Sequence, residues 1–132
     1  MALTRRGFIG TAGTLAMAAA LPGFTTFGGD GPMYGLIGKF KAVPGQRDAL
    51  IAILLESTGG MPGCLSYVVA QDATDADAVW ITEAWDSKES HAASLQLPAV
   101  QAAITRARPI IAGFGERFET VPVGGHGLVR PG

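Results

Sequence analysis

Between Met33 and Val121 the spacing of the apolar residues switches back and forth between two periods, and that succession constrains the fold more than any other feature of the chain. Met33 to Ala42 alternates: Tyr34, Leu36 and Phe40 share one face through Gly38, while Ile37, Lys39 and Lys41 take the other. Pro44-Gly45 ends this strand. From about Gln46 to Ser57 the period becomes helical, with Ala49, Leu50, Ile53, Leu54 and Ser57 at i, i+3, i+4 spacing. Ile51 and Leu55 widen that stripe enough to predict burial on two sides of the helix. Gly59-Gly60 suit its end, because a residue without Cβ enters the left-handed region at little cost. After the turn Met61-Pro62-Gly63, Cys64 to Gln71 alternates again with Leu65, Tyr67 and Val69 together. Ala78 to Trp85 is a third strand, with Val79, Ile81, Glu83 and Trp85 on one side and Trp80, Thr82 and Ala84 on the other. Asp86 stands as the cap of a helix, with Glu89 in capping-box position. Pro98 fits the first turn of a further helix to about Arg108, striped by Val100, Ala103, Ile104 and Ala107. Pro109 ends it, and Gly115 to Val121 is a last strand alternating Phe118 with Arg117 and Glu119.

The order β-α-β-β-α-β predicts a ferredoxin-like α+β fold, a four-stranded antiparallel sheet with helices packed on one face. The other face is left open, and its expected occupants (Ile37, Leu65 or Val68, Ile81, Trp85) are apolar. A sheet that is apolar on both faces but covered on one needs a second cover. Another copy of the chain is the simplest, so a homodimer is expected.

Ahead of this domain stands Thr4-Arg5-Arg6-Gly7-Phe8-Ile9, then an uncharged run from Thr11 to Leu21 ending in small residues. Residues 1–20 therefore read as a removable twin-arginine export signal, with Ala18 or Ala20 as the last residue removed. The alternative is an uncleaved anchor, although the run falls short of the ~20 predominantly apolar residues of a membrane-spanning helix. Export implies contact with the twin-arginine machinery and an extracytoplasmic, in many cells periplasmic, location. Residues 21–32 are a Gly/Pro-rich leader, 33–121 the domain, and 122–132 a Gly-rich tail holding His126. Without Arg5 and Arg6 the 10 Lys+Arg of the chain fall to 8 against 11 Asp+Glu, a net charge of −3. No basic cluster remains, which argues against nucleic acid and anionic lipid as partners. Cys64 is the only cysteine, so no intramolecular disulfide exists, and its apolar setting reads as a buried thiol. Asp72, Asp75 and Asp77 lack the Gly and distal Glu of a calcium loop and read as a polar hairpin. The two histidines and one cysteine have no metal-site spacing, and neither a phosphate-binding loop nor a nucleophile elbow is present.

Four segments in order resemble one family. Val43-Pro44-Gly45-Gln46-Arg47, Pro62-Gly63-Cys64-Leu65-Ser66-Tyr67, Glu83-Ala84-Trp85-Asp86-Ser87-Lys88-Glu89 and Leu95-Gln96-Leu97-Pro98 are similar to the antibiotic biosynthesis monooxygenase domain, the last to its quinol monooxygenase members. The resemblance runs over roughly residues 33 to 121. It implies a dimeric α/β barrel, two units packed sheet to sheet, each with a pocket between sheet and helices. It also implies oxidation of an aromatic or quinol substrate by O2 without metal, haem or flavin. The chain departs from the family at two positions. Where many members carry histidine nine residues after the tryptophan this chain has Ser94, and after the Leu-Gln-x-Pro proline it has Ala99. No Asn, Trp and His set of the haem-degrading relatives is found.

Cofactor-free oxygenation asks for a base, donors for a substrate anion and a dry cavity. His91, the one histidine inside the domain, with Tyr67, is the expected catalytic pair. His91 lies one turn before Ser94, and both a pocket position and a structural or solvent-facing one are open to it. Trp85, Trp80, Ile37 and Ser94 are the expected substrate-binding residues, with sheet core and dimer seam as the competing reading for the aromatics. Glu83 reads as an ion-pair partner of Arg117 or Lys39 rather than as a base. His126 belongs to the tail, or to an arm that closes over the pocket. The expectation is thus a dimeric, extracytoplasmic monooxygenase of a small aromatic or quinol ligand, with O2 as co-substrate and no cofactor or metal. The alternative is a non-catalytic dimeric module that binds a small apolar ligand.

Overall fold

A computed structural model describes residues 31–56 and 58–128. The twin-arginine segment, the leader up to residue 30, Ser57 and the end of the tail lie outside the described residues. The elements are β1 (Tyr34–Ala42), α1 (Arg47–Glu56), β2 (Cys64–Gln71), β3 (Ala78–Trp85), α2 (Lys88–Ser94), α3 (Pro98–Ala107) and β4 (Ile111–Thr120), with a 3-10 turn at Arg108–Ile110. The sheet has the order β2-β3-β1-β4 with each neighbouring pair antiparallel, the ferredoxin-like α+β arrangement. Among the described residues no helix is long and apolar enough to cross a membrane.

The β2–β3 hairpin is organised by Asp72. Its Oδ1 accepts from the backbone N–H groups of Thr74 (2.9 Å) and Asp75 (2.8 Å), and its Oδ2 from Trp80 Nε1 (2.7 Å). Those donors hold the Asp72 carboxyl well below the usual carboxylate range. Arg47 Nη1 donates to the Asp75 carbonyl (3.0 Å) and the Gly45 N–H to Asp77 Oδ1 (3.1 Å), so the acidic turn also holds the start of α1. The carboxylates are occupied by hydrogen bonds, as a polar hairpin requires.

Helices cover the face of the sheet that carries Tyr34, Leu36 and Phe40. Two core clusters form there. One joins Ala42, Leu50, Val79, Ile81 and Ala107, with Phe40, Tyr67 and Val69 against it; the other joins Tyr34, Leu36 and Trp85, with Met61 and Cys64. Leu50, Val79 and Trp85 are almost fully buried, each stabilising by roughly 1.5–3 kcal/mol through area removed from water.

The open face differs from expectation. Ile81 and Trp85 lie under the helices, because the side of β3 that bears them is level with Leu36 and Phe40 of β1. Ile37, which pairs with Thr82 and Phe118, and Val68, opposite Thr82, do lie on the open face as expected. Trp80 shares this face, its indole bonded to Asp72 and Lys39 Nζ lying 5.6 Å from its ring centroid.

Four local expectations shift, the first being that neither Gly59 nor Gly60 takes a left-handed backbone after α1. The cap of α2 is Ser87, whose side chain accepts from Ser90 N (3.1 Å), and Asp86 Oδ1 is buried without a partner. The buried stripe of α1 is Leu50 with Ile51, Ile53 and Leu54; Ala49 and Leu55 are exposed, so the helix buries one side. β4 starts at Ile111 rather than Gly115, since β-branched Ile111 continues the pairing and irregularities absorb the glycines. Gly38 pairs with Arg117 but Phe40 with Phe114, so β4 holds one extra residue there. That bulge places Phe114 on the helix side and Phe118 on the open side.

Candidate functional site

A cavity of about 510 Å³ lies between the sheet and the helices. Leu36, Gly38 and Phe40 of β1 and Ile81, Glu83 and Trp85 of β3 form its sheet wall, and Val100, Ala103, Ile104 and Ala107 of α3 face them. The sequence places these groups by period alone: alternation on the strands, i, i+3, i+4, i+7 on α3. Tyr67, Met61, His91 and Ser94 complete one part of the wall, and Phe114, Arg108 and Arg117 border it elsewhere.

The polar chemistry centres on Glu83. It sits between Ile81 and Trp85 on the buried side of β3, with 12% of its side chain exposed. Trp85 Nε1 donates to Glu83 Oε1 at 2.8 Å, and His91 Nε2 lies 3.8 Å from the same oxygen, too long for a hydrogen bond but close enough for charge pairing. Burial pushes the Glu83 carboxyl up, against the opposing pull of the Trp85 hydrogen bond, His91 and Arg117. Burial likewise pushes the Tyr67 phenol up, reinforced by the nearby Glu83 and Cys64, so Tyr67 keeps its proton and can act as a donor. The Cys64 thiol is raised by burial and by Glu83, which makes it a poor nucleophile.

α2 delivers His91 to this group. The imidazole packs edge-on to Trp85 (centroids 5.4 Å apart) and tilted against Tyr34 (5.3 Å). Tyr34 Oη donates to Glu119 Oε2 (2.6 Å), which also pairs with Lys88 Nζ (3.5 Å), tying the start of α2 to the end of β4. Gly63 allows the close approach: with φ +84°, it lies where a Cβ would be 2.5 Å from Ser90 Oγ. Ser94 is buried and donates Oγ–H to the His91 carbonyl at 2.6 Å. Among the described residues no group of three or more His, Cys, Asp or Glu is placed to hold a metal ion.

The sequence model for antibiotic biosynthesis monooxygenases matches residues 33–106. The chain belongs to the antibiotic biosynthesis monooxygenase family. A solved structure from Chloroflexus aurantiacus, itself named as a candidate antibiotic biosynthesis monooxygenase, is 70% identical over 74% of this chain and 99% of its own, with a TM-score of 0.72. A Caulobacter crescentus protein given the same candidate name has 20% identity over 70% of this chain and 92% of its own (TM-score 0.64). A Pseudomonas aeruginosa protein has 18% identity over 71% and 97% (TM-score 0.63). At those identities the likeness shows the shared fold. No curated protein matches the chain.

Of the residues singled out in the sequence, the monooxygenase-family fold brings His91, Tyr67, Trp85 and Ser94 to one cavity. Ile37 and Trp80 are on the opposite side of the sheet and line no part of it, because each is one residue out of phase with its cavity-facing neighbours Leu36 and Ile81. Arg117 is among the charges acting on Glu83, whereas Lys39 pairs with Asp72 across the other face (3.7 Å). Glu83 is the residue that sequence reading undervalued. A carboxylate in phase with Val79, Ile81 and Trp85 was the available signal, since a charge on the apolar side of a strand is buried for a reason. His126 is exposed in the tail.

Proposed function

We propose that the protein is a cofactor-independent monooxygenase that oxidises a small aromatic or quinol-type substrate with O2. The Glu83–His91 pair opening onto a largely apolar cavity carries this reading. The pair takes a proton from a substrate hydroxyl, with the Glu83 carboxylate compensating the imidazolium that results. Tyr67, protonated by virtue of its burial, donates a hydrogen bond to the electron-rich anion, and the apolar walls exclude water. The substrate then supplies all the electrons that O2 takes up. One oxygen atom ends in a new C–O bond and the other leaves as water with two substrate hydrogens, so no external reductant enters. Trp85 holds Glu83 in place, and its ring with that of His91 offers aromatic edges to a flat ligand. In the same reading the protein is exported by the twin-arginine route and works outside the cytoplasm as a homodimer, joined through the open face with Ile37, Val68 and Phe118.

Oxygen uptake by the purified protein, with chelator present, over hydroquinones, naphthols and anthrone tests this. Uptake above the autoxidation blank is expected, falling about 100-fold or more in His91→Ala and less in Tyr67→Phe. Unchanged rates in both variants, or no uptake across the panel, would overturn it. A second reading, a non-catalytic module that binds a small apolar ligand, is favoured by Ser94, whose hydroxyl is engaged with the His91 carbonyl rather than directed at a substrate. A ligand that raises the melting temperature without O2 consumption would support that reading instead.

A further inference from the structure

Gly35 and Gly63 are glycines for structural reasons. A Cβ on Gly35 would collide with Thr120 Oγ1, and Gly63 combines a left-handed backbone with the packing of Ser90 and Asp86 against it. Gly38 has neither reason. Its φ is outside the left-handed region, and a Cβ there would meet only Phe40, at an ordinary 3.8 Å. Yet it stands in the middle of the central strand, paired with Ile81 on one side and Arg117 on the other. In that position glycine is a cost to the fold, because it has more backbone freedom to lose and no side chain to pack.

What Gly38 does provide is space. It lines the cavity between Leu36 and Phe40, and those two neighbours belong to the two separate core clusters. Any side chain at 38 would project into the gap between the clusters. Ala103 and Ala107, on the helix side of the same cavity, are also small.

We propose that Gly38 is the specificity-determining residue of this cavity: its bare backbone is the floor on which the flat face of a fused aromatic ring system lies, and it sets how large a ring system enters. The proposal rests on the reading of the cavity as the substrate site. It adds that multi-ring substrates depend on position 38, whereas single-ring ones do not.

The test measures binding rather than turnover. Full-length wild type, Gly38→Ala and Gly38→Val are titrated under argon with anthrone as the fused-ring probe and hydroquinone as the single-ring probe, alongside thermal unfolding. Gly113→Ala serves as control, since that strand glycine has open space at its Cβ and does not line the cavity. Anthrone affinity is expected to fall at least tenfold in Gly38→Ala and further in Gly38→Val. Hydroquinone affinity should stay within threefold of wild type, and Gly113→Ala should bind both probes as wild type does. The melting temperature of Gly38→Ala is expected to rise by about 2–6 °C, because strand glycine is replaced without a clash. Equal loss of both probes, undiminished anthrone binding or a lowered melting temperature in Gly38→Ala would overturn the proposal while leaving the cavity as a ligand site. Wild type that binds neither probe would overturn the substrate-site reading itself, and Gly38 with it.

Discussion

Substituting Gly63 by alanine should damage the domain and its site together. The residue joins the turn before β2 with a φ of +84°, a region that costs a residue bearing Cβ roughly 1–2 kcal/mol. The added Cβ would stand 2.5 Å from Ser90 Oγ, 2.6 Å from Ser90 Cβ and 2.7 Å from Asp86 Oδ1. The first turn of α2 must therefore move, and the Ser87 cap bond to Ser90 N is strained or lost, roughly 0.5–2 kcal/mol more. The sum is about 1.5–4 kcal/mol, or about 6–30 °C in melting temperature for a domain of this size. Because α2 also carries His91 and Ser94, the displacement should separate His91 from Glu83. Far-UV circular dichroism melts of Gly63→Ala, run beside Gly59→Ala, give the answer. Gly59 has nothing within 4 Å of its Cβ and no positive φ, so its variant should stay within a few degrees of wild type. Gly63→Ala melting within about 3 °C of wild type would refute the reasoning, since α2 would then not depend on that bare Cα.

Two further outcomes follow from the geometry. Glu83 is raised by burial, so its folded state binds the proton more tightly than the unfolded chain; its stabilising contribution is complete below the ordinary value of 4.5 and is lost as pH rises through the folded-state value. Glu83→Gln, which keeps an acceptor for Trp85, should match wild type in melting temperature near pH 4 and exceed it increasingly at higher pH; parallel curves would show that the carboxyl is not penalised. On the open face, Phe118→Asp should convert a dimer to monomer in sedimentation without lowering helix content, whereas an unchanged assembly would place any interface elsewhere.

Much of the architecture was legible from period alone. β2 and β3 begin and end where the alternation placed them, and α3 carries the stripe read from Val100, Ala103, Ile104 and Ala107. Alternation says which residues share a side but not which side the helices cover. That is why Ile81 and Trp85 were expected on the open face, and why Ile37 and Trp80 were expected in the pocket. Ile37 looked like a pocket residue because it is apolar, yet its phase sets it with Lys39 and Lys41, and phase decides. Glu83 was placed on the right side of β3, but its value as a buried partner of His91 depends on how α2 folds back over Trp85. The closeness that makes that possible comes from Gly63 and the Ser87 cap, features of backbone geometry that a residue pattern does not display.

The bulge in β4 makes the length of this edge strand as consequential as its composition. Phe114 and Phe118 are four residues apart, a spacing that on a regular strand would put both on one surface; the extra residue divides them between the two. Removing a single residue from Gly115-Glu116 would restore a regular ladder in which Phe114 still opposes Phe40 and Arg117 still opposes Gly38. Arg117 would stay beside Glu83, Glu119 would keep Tyr34 and Lys88, and Phe118 would remain on the open face. For related chains, a residue lost at this point is a silent change of length, whereas one lost beyond it, with the bulge kept, would exchange the charged and apolar surfaces of the rest of the strand.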